Sequence, residues 1–274
     1  MNISYKEIFS LKDLDIIVVG GLGLIGKEVV KAILDLGANI IIMDLNRIEY
    51  LKFLRELDIN QSGRLKYQYF NCLKKNEIKK NIIKCFNKNF KPKILINCSY
   101  PRTQDWKNNN FKNIKLKSFE KNIAINLNST VWISKIFADL LVKNNIKGKI
   151  INFGSIYGFL AQDKNLYKGT RMSENLTYSS IKGAIINITR QFAAYYGDKG
   201  ILVNCISPGG VYGPVQGLNK AQEKIFLSNY HKRVPLKRLA HAYEIASVVA
   251  FMCSDASSYI TGSNLIVDGG WSAI

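Results

Sequence analysis

The sequence predicts an α/β protein in a single domain, a doubly wound parallel sheet with helices on both faces, on three observations. Short runs rich in Ile and Val alternate with longer segments of helical periodicity, as βαβ units require. Those runs are continuously apolar rather than alternating, as strands covered on both faces should be. No linker and no internal repeat divides the 274 residues, so 1–274 reads as one domain.

Taken in order, strands are expected near 15–19 (Ile16-Ile17-Val18-Val19), 38–43 (Ile40-Ile41-Ile42-Met43), 65–70, 93–97 (Ile94-Leu95-Ile96), 149–153, 200–206 and 264–267. Helices fit between them near 24–36, 46–58, 74–88, 118–144, 175–197 and 241–254. Gly37 suits the residue that ends the first helix, and Gly148 a similar duty before the fifth strand. Irregular excursions are expected at 99–117, 156–174 and 208–235, each directly after a strand. In an open parallel sheet the ligand crevice lies beyond the carboxyl ends of the strands, where these loops gather.

Composition narrows the class. With 47% hydrophobic residues the chain can bury a core without disulfides or metal. None of its apolar runs approaches the ~20 residues of a membrane span. The first residues, interrupted by Lys6, Glu7, Lys12 and Asp13, lack the apolar stretch of a signal peptide. Cys72, Cys85, Cys98, Cys205 and Cys253 are odd in number and widely spaced, and read as small hydrophobes in a reducing compartment. Together these predict a cytoplasmic protein with no metal site. The net charge of +19 raises nucleic acid as a partner, but the basic residues are dispersed, often beside Asn, and no recognition motif accompanies them. A solvated surface is expected, with no nucleic-acid or membrane partner; the charge is compatible with an anionic small substrate.

The turn Val18-Val19-Gly20-Gly21-Leu22-Gly23-Leu24-Ile25-Gly26 joins the first strand to the first helix. Glycines there let backbone N–H groups approach a pyrophosphate at the helix N-terminus, and an acidic residue, Asp44, follows at the end of the second strand. Gly20, Gly23, Leu24, Ile25 and Gly26 are the expected phosphate cradle, and Asp44 the ribose acceptor that repels a 2′-phosphate. The cofactor expected is NAD rather than NADP, with Arg47 softening the choice. Asp44 is alternatively the N-cap of the helix that follows.

Tyr178-Ser179-Ser180-Ile181-Lys182 lies in a helical segment, and i, i+4 spacing puts Tyr178 and Lys182 on one face. A phenol titrates near 10, and a neighbouring ammonium lowers that toward general acid/base work. Ser155 follows the strand that ends in Phe153, Ser207-Pro208-Gly209-Gly210 makes a turn after the sixth strand, and Val267-Asp268-Gly269-Gly270-Trp271 closes the chain.

From about residue 14 onward this set resembles the short-chain dehydrogenase/reductase family. The resemblance implies a Rossmann fold with a seven-stranded sheet and NAD(P)-dependent interconversion of a secondary alcohol and a ketone. It implies Tyr178 as acid/base, Lys182 as the cation that lowers its pKa and holds the nicotinamide ribose, Ser155 as the group orienting the substrate oxygen, and Asn126 as support for a water relay. By position it adds Asn71, Cys72, Asn97, Ser99, Pro208, Gly209 and Val211 to the cofactor contacts, and a homotetramer or homodimer built through the long helices.

This sequence departs from the family pattern at several places. Val19 replaces the usual Thr, the glycine spacing resembles that of the sugar-nucleotide epimerases and dehydratases, Asn97-Cys98-Ser99-Tyr100 replaces Asn-Asn-Ala-Gly, and Asn71 replaces an Asp. Ser155 and Tyr178 stand 23 positions apart, about twice the usual interval, so 159–175 is expected to form a flap. Its Lys164, Tyr167, Lys168 and Arg171, with Arg102, are expected to furnish a basic pocket; Arg102, Tyr157 and Arg171 are the substrate residues named. Tyr100-Pro101-Arg102, Ser155-Ile156-Tyr157-Gly158 and the closing Asp268-Gly269-Gly270-Trp271-Ser272 resemble a bacterial subgroup linked to surface-sugar biosynthesis, including flagellin-modifying nonulosonic acids. A sugar or amino-sugar derivative is the substrate this implies. A nucleotide-sugar epimerase or dehydratase, and a non-catalytic dinucleotide-binding regulator, stay open as alternatives.

Overall fold

The computed structural model describes residues 4–214 and 222–274. Seven parallel strands form one sheet in the order β3-β2-β1-β4-β5-β6-β7. They are β1 (Asp15–Val19), β2 (Asn39–Asp44), β3 (Leu65–Tyr69), β4 (Ile94–Asn97), β5 (Gly148–Phe153), β6 (Ile201–Pro208) and β7 (Asn264–Val267). The winding reverses between β1 and β4, which pair Ile16 with Ile94 through Val19 with Asn97. That reversal opens the crevice at the carboxyl ends.

Both faces are covered, which explains the unbroken apolar runs. On one face Ile16 and Val18 of β1 join Ile40 and Ile42 of β2 under α2 (Leu24–Asp35) and α9 (Ala242–Cys253). On the other, Ile17, Val19, Ile41 and Met43 meet α5 (Lys75–Cys85), α6 (Leu116–Lys143) and α7 (Leu176–Tyr196). Successive side chains of one strand thus enter opposite cores.

Several elements differ from the sequence reading. A short helix, α1 (Tyr5–Ile8), precedes the sheet. The segment 46–58 is not one helix: α3 (Arg47–Arg55) stops, and α4 (Ile59–Gly63) restarts on a capping box in which Asp58 and Gln61 bond each other's backbone N–H. The excursion 208–235 is not wholly irregular, since α8 (Lys224–Arg233) lies within it; its weak amphipathy conceals it in the sequence. Gly37 does end α2, at φ +97°. Gly148 does not end α6: Asn145 takes the left-handed position (φ +54°), and Gly148 opens β5, where a Cβ would stand 2.3 Å from the Lys93 carbonyl oxygen. Cys85, Cys205 and Cys253 are buried thiols as expected, whereas Cys72 and Cys98 are half-buried. Among the described residues no helix is long and apolar enough to cross a membrane, and no cluster of His, Cys, Asp and Glu is arranged to hold a metal ion.

Candidate active site

The glycine turn after β1 is shaped by contacts that forbid side chains. Gly20 sits at φ +71° with its α-carbon against the Ser99 backbone, where a Cβ would come within 2.8 Å. A Cβ on Gly26 would lie 2.4 Å from the Gly20 carbonyl oxygen. The turn is therefore packed backbone on backbone, and it leads into α2 with Gly23 at the N-cap and no side-chain cap. The N–H groups of Leu24, Ile25 and Gly26 head that helix and need an outside acceptor. A pyrophosphate meets that need.

Asp44 braces this cradle. Its Oδ2 accepts from the Leu22 N–H (3.1 Å), and its Oδ1 from Leu45 N (2.7 Å) and Asn46 N (3.3 Å). The N-cap of α3 is Asn46, whose side chain accepts from Glu49 N, so Asp44 does not serve as that cap. Beyond β4, Asn97 Oδ1 takes hydrogen bonds from Ser99 N (3.2 Å) and Ser99 Oγ (2.6 Å), which sets the chain under Gly20. Its Nδ2 is buried without a partner. After β3, Asn71 Oδ1 accepts from Leu73 N (3.0 Å), and burial pushes the neighbouring Cys72 thiol up. Across the crevice Pro208 ends β6, Gly209 N donates to Val267 O, and Val211 pairs with Ala240. Gly213 then rests on the Leu24 side chain, so the loop after β6 reaches the head of α2. The sequence-predicted cofactor residues thus lie at five strand ends, those of β1, β2, β3, β4 and β6.

The catalytic candidates converge as well. Asn175 caps α7, its Oδ1 accepting from Tyr178 N (2.9 Å) while its Nδ2 donates to Trp106 O (3.0 Å). Tyr178 and Lys182 share the inner face of this helix. Gly158 and Gly183 let the turn after Ser155 press onto it; a Cβ on Gly158 would lie 2.7 Å from the Lys182 carbonyl carbon. Ser155 is thereby held beside Tyr178, where its hydroxyl pulls the phenol pKa down, and it accepts from Tyr157 N (3.2 Å). The ammonium of Lys182 donates to the Phe153 carbonyl (2.7 Å) and stands 5.4 Å from the Tyr100 ring centre and 5.8 Å from that of Tyr178.

The electrostatics differ from the simple expectation that Lys182 lowers the pKa of Tyr178. Burial is the strongest influence on both groups. It pushes the Tyr178 phenol up, against the hydrogen bond from Ser155, which pulls it down. It pushes Lys182 down to about 8, with the Cys205 and Cys98 thiols acting in the opposite sense. An ammonium sealed at 5% exposure gains most from an added hydrogen-bond partner.

Tyr157, named from the sequence for the substrate, is joined in the site by Tyr100 and Trp106, which the sequence reading did not assign to it. Tyr100, Trp106 and Tyr157 stand edge-on to Tyr178 with ring centres 5.6, 6.4 and 6.5 Å away. They form an aromatic wall around the phenol. The 99–117 loop that carries Tyr100 and Trp106 is held by two asparagines one turn apart on α6. Asn126 Nδ2 donates to Pro101 O (2.9 Å), and Asn122 bonds both the backbone N–H and the hydroxyl of Thr103. The Oδ1 of Asn126 remains buried without a partner. The i, i+4 repeat of Asn122 and Asn126 was the available signal; Tyr100 and Trp106 have none, since their irregular loop meets Tyr178 only in the folded chain. The expected basic pocket takes a different form. Tyr167 turns inward, whereas Lys164, Lys168 and Arg171 are exposed, and Arg171 N donates to the Glu223 carboxylate. Arg102 lies over the Tyr100 ring, 5.7 Å from its centre.

Comparison with known proteins agrees with this geometry. The family model for enoyl-(acyl carrier protein) reductase matches residues 23–272. The chain is 30% identical, over 93% of its length and 97% of the relative's, to post-translational flagellin modification protein A of Campylobacter coli. It is 26% identical, over 93% of both chains, to a 7alpha-hydroxysteroid dehydrogenase of Bacteroides fragilis. Among solved structures, a short-chain dehydrogenase of Leptospira borgpetersenii with bound NAD+ superposes with a TM-score of 0.83 at 30% identity, covering 99% of this chain and 97% of that one.

Proposed function

The chain belongs to the short-chain dehydrogenase/reductase family as an NAD(P)-dependent oxidoreductase, and from that premise we propose that it interconverts a secondary alcohol and a ketone on a sugar or amino-sugar derivative, with NAD as its dinucleotide. The observation that carries the proposal is Ser155 held beside Tyr178 with the Lys182 ammonium 5.8 Å from the Tyr178 ring centre, next to a cradle that only a glycine turn can form. NAD supplies the hydride acceptor when bound. Gly20, Gly26 and the head of α2 would hold its pyrophosphate. Asp44, anionic and already fixed by Leu22 N, would accept from ribose hydroxyls and repel a 2′-phosphate. The 30% identity to a structure holding NAD+ supports that choice.

The protein's own part is positioning and proton handling. Ser155 donates to the oxygen of the reacting carbinol or carbonyl, sharing it with Tyr178. Tyr178 as phenolate takes the carbinol proton in oxidation, and as phenol it returns that proton in reduction. Lys182, at present bonded to Phe153 O, supplies the positive charge that favours the phenolate. The aromatic wall excludes water from the reacting carbon. Likeness to a flagellin modification protein supports the sugar reading. A cytoplasmic homotetramer joined through α6 and α7, acting on a small molecule and on neither membrane nor nucleic acid, completes the proposal.

The test is a panel of sugar phosphates and nucleotide sugars assayed with NAD and NADP, following NADH absorbance. Net NADH formation separates a dehydrogenase from a redox-neutral epimerase. Tyr178→Phe should cost roughly 10²-fold or more in kcat. Unchanged turnover in that variant overturns the assignment.

A further inference from the structure

The segment 209–213 joins the two ends of the site. Where it begins, Gly154 N donates to Ile206 O (2.9 Å) and a Cβ on Gly154 would lie 2.5 Å from Ser207 Oγ, so the end of β6 flanks Ser155. Where it ends, Gly213 rests on the Leu24 side chain at the head of α2. The segment thus runs from the reacting centre to the pyrophosphate cradle, the stretch that the nicotinamide riboside of a bound dinucleotide covers.

Its backbone N–H groups can be followed one by one. Gly209 N donates to Val267 O (2.9 Å), Tyr212 N to Ala240 O (2.8 Å) and Gly213 N to Gln222 Oε1 (3.3 Å). Gly210 N donates to Tyr230 Oη (2.6 Å). Among the described residues Val211 N has no acceptor, which makes it the donor left for a ligand. Of the four acceptors only Tyr230 belongs to a helix, α8. Tyr230 is 2% exposed, and the glycine pair makes room for it: a Cβ would stand 2.9 Å from its Oη at Gly209 and 2.8 Å from its Cζ at Gly210. Its ring also packs on Trp271, with centres 4.8 Å apart.

We propose that Tyr230 is a positioning residue for the nicotinamide half of the dinucleotide: its hydroxyl fixes the Gly209–Gly210 peptide and, with it, the direction of the Val211 N–H. The inference deepens the dehydrogenase reading and rests on it. Without the hydroxyl the Gly210 N–H loses its partner, and the peptide turns to find another. The Val211 N–H turns with it, whereas the pyrophosphate cradle, built from the Gly20–Gly26 turn, is untouched.

The test is isothermal titration calorimetry of the full chain with NADH and with ADP-ribose, which carries the same pyrophosphate but no nicotinamide. Tyr230→Phe keeps the ring against Trp271 and the glycines and deletes only the hydroxyl. It should weaken NADH about tenfold, the scale of one hydrogen bond left unmade, and ADP-ribose by no more than about twofold. Retained ADP-ribose binding also reports that the variant is folded. A merely structural role would weaken both ligands together, so equal weakening of the two, or no change in either, overturns the proposal. A wild type that binds neither ligand strikes the dehydrogenase reading and this inference with it. A wild type that binds both, beside a variant that keeps the ratio of their affinities, strikes only the role of Tyr230.

Discussion

Lys182 shows how burial tunes a single residue for work. Its folded pKa near 8 lies below the ordinary lysine value of 10.5, because the charged form has lost its water. The sign for activity follows directly: the ammonium is present below about 8 and is lost as pH rises through that value, while the upward-shifted Tyr178 keeps its proton. For reduction of a ketone probe such as 2-hydroxycyclohexanone, both protons are needed. The plot of log kcat/KM, which reports groups of the free enzyme, should turn downward above about pH 8. A profile flat to pH 10 would mean that Lys182 keeps its charge in the free protein. Gly26 makes the same case sterically. With a Cβ 2.4 Å from the Gly20 carbonyl, Gly26→Ala must displace the turn, and NADH binding followed by fluorescence should weaken at least tenfold, on the order of 1.4 kcal/mol.

At the scale of the element, the start of α7 holds more of the site than any other segment. The Asn175 side chain caps the helix and ties it to Trp106, while its backbone orients Gln162. Asn175→Ala should lower stability by about 1 kcal/mol as a lost cap, read in urea denaturation. It should lower kcat by a larger factor than the cap alone implies, because Tyr178 and Trp106 lose their common support. A kcat unchanged beside the expected stability loss would show that the cap does not position the site. A second tie joins the insertion to α8, where Asn229 Nδ2 donates to Leu166 O and Lys168 O. Asn229→Ala should speed amide exchange in both 159–175 and α8 while leaving α3 unchanged.

The division between what could and could not be read from the chain follows from these ties. Strands such as Ile16-Ile17-Val18-Val19 announce themselves because both faces are buried. The Gly20–Gly26 turn and the Tyr178–Lys182 pair were legible because each is local, set by spacing along one element. Tyr100 and Trp106 were not, because their neighbours come from segments tens of residues away. Helix α8 escaped because only Phe226 and Tyr230 of its ten residues are buried, too few to set a period.

The molecule as a whole carries a charge of +19, and its sheet architecture spreads that charge rather than focusing it. Lys79, Lys80, Lys84, Lys88, Lys91 and Lys93 are exposed around α5 and the start of β4, and Lys107, Lys112, Lys115, Lys117 and Lys121 around the start of α6. The ion pairs found among the described residues, such as Lys27–Glu49 (2.6 Å) and Lys135–Asp139 (2.5 Å), use few of these cations. Such excess charge repels itself in the compact state and is relieved by screening. Raising NaCl from about 10 mM to about 0.3 M shortens the Debye length from roughly 30 Å to below 8 Å. The melting temperature should therefore rise by a few degrees, roughly 1 kcal/mol for a chain of this size. Dispersal also bears on partners. A surface built to grip a phosphate backbone lines up its cations and loses affinity steeply with salt, whereas scattered lysines bind duplex DNA weakly and without sequence preference. Fluorescence anisotropy with a labelled duplex should detect no binding at about 0.15 M salt. Sub-micromolar binding at that salt would show that the basic surface is a nucleic-acid interface after all.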